Sequence, residues 1–289
     1  MRYQGGKSKL AKPIAEVIYA VSRRQDQDSR ADSPKNSGGV LSDTLVSLFC
    51  GSCAVEAKLA PYFKKVICND AHPYLMAMWK ALQQGWEPPD IVTEAEYQYI
   101  KEHKDEDPAL TAFVGFGCTF GAKWFGGYAR DKRGCITRGG YAPRSKASLL
   151  KVFSELNRTS SAGEIKGRIF ALESKRTTME CSAAMSGDVT FTCLDYRNVE
   201  IPPHSIIYAD PPYAGTLPYK GVEPFDSDVF WEYMRKLAKD GHTVFVSECT
   251  GPEDIEVVWE KEYGGGMKNS GITASKTKRI EKLFRLSAT

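Results

Sequence analysis

Four consecutive residues, Asp210-Pro211-Pro212-Tyr213, carry the strongest chemical signal in this 289-residue chain. They follow Ser205-Ile206-Ile207-Tyr208-Ala209, an apolar, β-rich run that reads as a buried strand. In open α/β sheets, ligands bind at the carboxyl ends of strands. Two successive prolines lack N–H groups and hold φ fixed, so the turn is stiff and its carbonyls stay free. Each residue before a proline is also pushed toward extended geometry. A carboxylate, a preset carbonyl and a flat ring then converge on one spot. Such a claw suits a planar base with an exocyclic amino group: the two acceptors each take one amino hydrogen, and the ring stacks on the base. Pro-Pro is also a common loop breaker, so the tetrapeptide alone leaves an ordinary turn open.

The flanking elements must position this claw. Lys9 to Val21 has helical apolar spacing, whereas Ser22 to Asp43 is polar and reads as a surface loop. Thr44–Phe49 and Lys65–Asn69 read as strands, with a short helix at Ala54–Phe63 between them. Helices are expected at Pro73–Gln84, Glu94–Lys104 and Ser145–Asn157. Further strands are expected at Val189–Leu194, Ser205–Ala209, Thr243–Ser247, Glu256–Trp259 and Ile280–Leu286. Asp226 or Ser227 can cap a helix running to about Lys239. Strands alternating with helices imply an α/β fold: a doubly wound, mostly parallel sheet covered on both faces. The stretch from 71 to 186 is too long for one crossover and reads as an inserted subdomain. Residues 1–70 and 187–289 would then form one catalytic domain.

Composition narrows the function classes. Hydrophobic content of 42% and charged content of 26% are ordinary for a soluble globular protein. No apolar run approaches a membrane span, and nothing at Met1–Lys7 argues for export, so a cytoplasmic protein is expected. Cys50-x-x-Cys53 lacks the further Cys or His pair a zinc site needs, and four scattered histidines offer no ligand cluster. Net charge is only +3, but between Gly115 and Arg158 nine basic residues stand against two acids. Lys123, Arg130, Lys132, Arg133, Arg138 and Arg144 are interleaved there with Trp124, Phe125, Tyr128 and Tyr141. That mixture suits a surface that tracks phosphates and stacks on bases. Gly127 to Tyr141 is expected to form a hairpin or ordered loop.

Other motifs lie at strand ends. Phe49-Cys50-Gly51-Ser52-Cys53 makes a small-residue turn after the first strand, where a cofactor can approach the backbone. Asn69-Asp70 ends the second strand, where an acid commonly grips a ribose diol. Asp195-Tyr196 follows the third strand and offers an acceptor and a ring to a purine.

Taken together these motifs resemble the Dam-like, D12-class DNA adenine-N6 methyltransferases, in the order of the alpha group. Tyr3-Gln4-Gly5-Gly6-Lys7-Ser8-Lys9-Leu10 is similar to the family's (W/Y)-x-G-G-K-x-x-L signature. Phe49-x-Gly51 resembles the start of Phe-x-Gly-x-Gly, with Cys53 in place of the second glycine. Asp195-Tyr196 resembles Asp-Phe, and Asp210–Tyr213 is a full match. Phe113 to Arg130 is similar to a stretch of phage-type members. The resemblance implies a class I methyltransferase with S-adenosylmethionine as cofactor. Tyr3 and Lys7 would lie at its methionine end with the Gly51 turn, Phe49 would also contact the cofactor, Asp70 would lie at the ribose, and Asp195 and Tyr196 at the adenine. Asp210, Pro211, Pro212 and Tyr213 would be catalytic, with Asp210 also beside the cofactor. The six basic residues would contact double-stranded DNA; by residue type Arg130, Arg138 and Arg144 are candidates for guanine edges and Lys132 and Arg133 for phosphates, the alternative being that all five only track phosphate. A monomer without metal or membrane attachment is expected. An N4-cytosine DNA methyltransferase, an RNA methyltransferase acting on adenine, a glutamine-amide methyltransferase and a DNA-binding protein with a dead site remain alternatives.

Overall fold

Short apolar runs flanked by turn residues become the strands of a seven-stranded, mostly parallel sheet, ordered β3-β2-β1-β4-β5-β7-β6. The computed structural model describes residues 6–31, 43–130, 140–157, 188–212, 225–264 and 278–288. The chain divides into two compact units, Met1–Ala15 with Asp43–Glu200, and Glu16–Ser42 with Ile201–Thr289.

In the first unit, β1 (Thr44–Ser47), β2 (Lys65–Asn69) and β3 (Asp188–Thr192) run parallel, with β2 central. A central parallel strand has both faces covered, which explains why Val66, Ile67 and Cys68 form a continuous buried run without alternation. The expected helix at Ala54–Phe63 is split. An α-helical turn α2 (Glu56–Leu59) gives way to a 3₁₀ turn at Ala60–Tyr62. Pro61 has no N–H to continue an α-helical ladder. Helix α3 (Pro73–Gln83) is capped by His72 and starts with Pro73. It lays Leu75, Met78 and Trp79 into the core, where Trp79 stacks on Phe191 of β3 at 5.6 Å.

Helix α4 (Glu94–Glu102) starts with a complete capping box between Thr93 and Glu96. Helix α5 (Pro108–Ala112) was not anticipated from sequence and runs on as a π-helical turn over Phe113–Gly117. Close packing explains Gly115 within that turn: a Cβ there would lie 2.5 Å from the Trp124 ring. Helix α6 (Ala142–Leu156) begins three residues earlier than Ser145, because Pro143 is tolerated in a first turn.

In the second unit, β4 (Ile206–Ala209) and β5 (Thr243–Glu248) are parallel, joined through α7 (Ser227–Lys239). Asp226 is the cap, accepting from the N–H groups of Asp228 and Val229. The antiparallel pair β6 (Glu256–Gly264) and β7 (Lys278–Leu286) completes the unit, with β7 against β5. Trp231 of α7 meets Phe284 of β7 edge-on at 5.4 Å.

One expectation is corrected by helix α1, which spans Ala11–Ala31 and does not yield to a loop at Ser22. The polar residues just past Val21 bond within the helix. Ser22 Oγ donates to the Ile18 carbonyl at 2.7 Å, and Arg23 Nε donates to Tyr19 Oη at 2.9 Å. Neither glycine nor proline intervenes before Pro34. The rest of the expected loop, 32–42, lies outside the described residues.

Candidate active site

The turn after β1 is held from both sides. Gly51 has φ +48°, in the left-handed region where glycine is favoured. Its N–H donates to Asp70 Oδ2 at 3.0 Å, and its carbonyl accepts from Trp79 Nε1 at 3.1 Å. Cys50 N donates to the Asn69 carbonyl at 2.8 Å and so ties the turn to the end of β2. Cys53, at the position of the second motif glycine, has φ +52°. The backbone demands left-handed geometry there, and the buried cysteine carries a strain of about 1–2 kcal/mol that glycine would avoid. Burial pushes the Cys50 and Cys53 thiols well above their ordinary range. Cys68 is likewise buried, whereas Cys193 is partly exposed, with its Sγ 3.9 Å from the Ala71 carbonyl.

Asp70 is half-buried and accepts from two backbone groups, Gly51 N–H at 3.0 Å and His72 N–H at 2.9 Å. Burial raises its pKa above the usual carboxylate range, and the two N–H donors oppose that shift. A carboxylate has about four lone-pair sites, so two stay available to a diol.

Its neighbour Asn69 was quoted in the motif but given no role, and the structure supplies one. The fully buried amide makes four hydrogen bonds. Nδ2 donates to the carbonyls of Leu48 at 3.1 Å and Leu194 at 2.9 Å. Oδ1 accepts from Thr192 Oγ1 at 2.8 Å and Leu194 N at 3.0 Å. One side chain thus fastens together the ends of β1, β2 and β3. The sequence signal is an amide closing a buried strand just before an acid.

Phe49 and Tyr196 come together, with ring centroids 5.3 Å apart and planes tilted by 36°. Asp195 caps the 3₁₀ turn Tyr196–Asn198 and pairs with Arg197, whose Nε and Nη2 lie 2.8 and 3.0 Å from its two oxygens. Arg197 therefore holds the Asp195 carboxyl below its ordinary pKa. Lys7 is 6% exposed, and its carbonyl accepts from Leu10 and Ala11 at the start of α1. His72 lies against Phe116 and Trp124 at 5.0 and 4.6 Å. Tyr3 is outside the described residues.

In the second unit, all four residues of β4 are buried, and half-buried Asp210 follows directly. Pro211 is buried and Pro212 exposed, while Tyr213 falls outside the described residues. Sequence reasoning missed two buried acids on β5 and its neighbour β7. Glu248 ends β5 and accepts from Cys249 N at 2.8 Å, and Glu281 of β7 accepts from Ser247 Oγ at 2.9 Å. Both are at most 6% exposed.

Among the basic candidates, Lys123 and Arg130 are exposed at the two sides of the segment 118–130. A single bridge, Thr119 to Tyr128, closes this segment. Arg144, near the start of α6, extends over the Tyr141 ring at 5.8 Å. Lys132, Arg133 and Arg138, with most of the expected hairpin, lie outside the described residues. No helix among the described residues is long and apolar enough to cross a membrane, and no group of three or more His, Cys, Asp or Glu there could hold a metal ion.

No curated protein sequence matches the chain. The family model described as D12 class N6 adenine-specific DNA methyltransferase does match it, over residues 3–241. The matched span takes in the turn braced at Gly51, Asp70 after β2 and Asp210 after β4, and the chain belongs to the D12 class N6 adenine-specific DNA methyltransferases.

Proposed function

We propose that this DNA adenine methyltransferase acts at specific sites, moving a methyl group from S-adenosylmethionine to N6 of an adenine flipped out of the duplex. The observation that carries the reading is Asp210. It is half-buried directly after a wholly buried strand, with a buried proline next.

The residues of the first unit fit the cofactor chemically. Asp70 keeps acceptor capacity for two ribose hydroxyls, and Gly51 leaves room for close approach. Phe49 and Tyr196 offer a paired aromatic surface to the purine. Asp195, with three bonds from Arg197 already made, retains one acceptor site for an amino hydrogen. Lys7 suits a carboxylate end. When bound, the cofactor supplies a methyl group on a positively charged sulfur.

The target atom is inside the duplex, so the nucleotide must leave the stack, at a cost of a few kcal/mol. Stacking on Tyr213, worth about 1–3 kcal/mol, and phosphate contacts offset that cost. An aromatic amino nitrogen is a weak nucleophile because its lone pair is delocalised into the ring. The Asp210 carboxylate and the Pro211 carbonyl each accept one of its hydrogens, which favours a pyramidal nitrogen with its lone pair free for in-line attack. Positioning and electrostatics provide the acceleration. Asp210 need not be a strong base, since the surplus proton leaves after the nitrogen has been alkylated.

In this reading, residues 1–70 and 187–289 form the catalytic domain and 71–186 the target-recognition subdomain. The exposed Lys123 and Arg130 lie within the latter segment. The direct test is Asp210→Ala, assayed with labelled S-adenosylmethionine and duplex DNA. Methyl transfer should fall by at least about 10²-fold while DNA binding is retained. Unchanged turnover overturns the role of Asp210.

A further inference from the structure

Arg130 is exposed, like the other described basic candidates, yet its guanidinium is already engaged. Its Nε lies 3.2 Å from Glu94 Oε2, and its Nη2 lies 2.6 and 2.7 Å from the two oxygens. The side chains are 69% and 46% exposed, so no burial forces this pairing.

Both arms of the pair rest on rigid backbone. Glu94 is the first residue of α4, directly after the Thr93 cap. A carboxylate in a first helical turn is favoured by the helix dipole. On the other arm, Tyr128 Oη donates to the Val92 carbonyl at 2.7 Å, and Ala129 N donates to the Cys118 carbonyl at 2.9 Å. The chain on either side of the ion pair is therefore fixed before any ligand arrives.

The guanidinium fork that grips Glu94 has the donor pattern that fits O6 and N7 of guanine, or two oxygens of a phosphate. These two ligands differ in charge. A phosphate is repelled by the Glu94 carboxylate beside it, whereas the guanine edge is neutral. An exposed ion pair is worth only about 0–1 kcal/mol, so a correctly placed pair of base acceptors displaces Glu94 at little cost.

We propose that Glu94 is a specificity-determining residue, an internal competitor that occupies the Arg130 fork and biases it away from phosphates toward a neutral base edge. This inference rests on the reading of Arg130 as a DNA contact.

The test compares Glu94→Gln, Arg130→Ala and the double variant of the full chain, binding a labelled random-sequence duplex across a salt series. Glu94→Gln should bind that duplex about 3–10-fold more tightly at low salt, with the salt slope steeper by about one phosphate contact. Arg130→Ala should bind more weakly, and the double variant should match Arg130→Ala. Sequencing of methylated genomic DNA should show Glu94→Gln marking more sites that differ by one base pair from the preferred motif. If Arg130→Ala weakens binding but Glu94→Gln leaves affinity and site choice unchanged, or weakens them, the competitor role is overturned and the DNA contact stands. If Arg130→Ala changes neither affinity nor site choice, the DNA contact itself is overturned.

Discussion

Replacing Asn69 with Asp exchanges the amide NH₂ for a carboxyl oxygen with almost no change in volume, so it perturbs the polar junction at the ends of β1, β2 and β3 alone. The carboxylate can still accept from Thr192 Oγ1 and Leu194 N. It cannot donate to the Leu48 and Leu194 carbonyls, which lie 3.1 and 2.9 Å from the present amide nitrogen. Each buried carbonyl left without its donor costs about 1–3 kcal/mol, so the pair costs about 2–6 kcal/mol at pH 8. That is a large part of the roughly 5–15 kcal/mol that holds a typical protein folded. The cost should also depend on pH. Burial among carbonyl oxygens raises the folded-state pKa of the new acid above its unfolded value of about 4. Its favourable contribution is complete below the unfolded pKa and is lost as pH rises through the folded value. At pH 5 the protonated acid returns one donor, and the penalty should shrink by about 1–3 kcal/mol. Urea unfolding followed by tryptophan fluorescence at pH 5 and pH 8 measures both quantities. A loss below about 1 kcal/mol at pH 8, or an equal loss at both pH values, would refute the role given to this amide.

Other substitutions probe neighbouring contacts. Trp79→Phe keeps the stack on Phe191 but removes the bond to the Gly51 carbonyl, which should cost about 1–2 kcal/mol in urea unfolding. Under the proposed function, its KM for S-adenosylmethionine should rise more than kcat falls. Gly115→Ala places a methyl 2.5 Å from Trp124 and 2.8 Å from Phe125, and should lower stability by about 1–3 kcal/mol in a thermal melt. Burial pushes the His72 imidazole down to about 4, so the folded protein resists its protonation. The associated stability, about 3 kcal/mol, is present above the unfolded pKa near 6.5 and is lost as pH falls toward 4. His72→Asn keeps a cap acceptor for α3 and should flatten that part of the pH–stability curve.

Much of the fold was legible locally. Residues 65–69 form a strand within the boundaries expected from their apolar run, and Asp226 caps the helix that its side chain predicts. Pattern and capping are short-range properties, so the chain displays them without knowing its neighbours. The Ser22 boundary failed for a related reason: local polarity suggested a loop, but Ser22 and Arg23 bond back within α1. Helix α5 was missed because it is a single short turn merged into a glycine-containing π turn, with no room for periodicity.

For the candidate site, residue types and order in the chain nominated Asp210, Asp70 and the Gly51 turn. What they could not supply is how each is held. The bond from Trp79 to Gly51 spans 28 residues, and the ion pair from Arg130 to Glu94 spans 36. The amide bond from Asn69 to Leu194 spans 125. Chemistry is written in side chains one at a time and can be read from the linear sequence, whereas preorganisation depends on distances that exist only after the chain has folded.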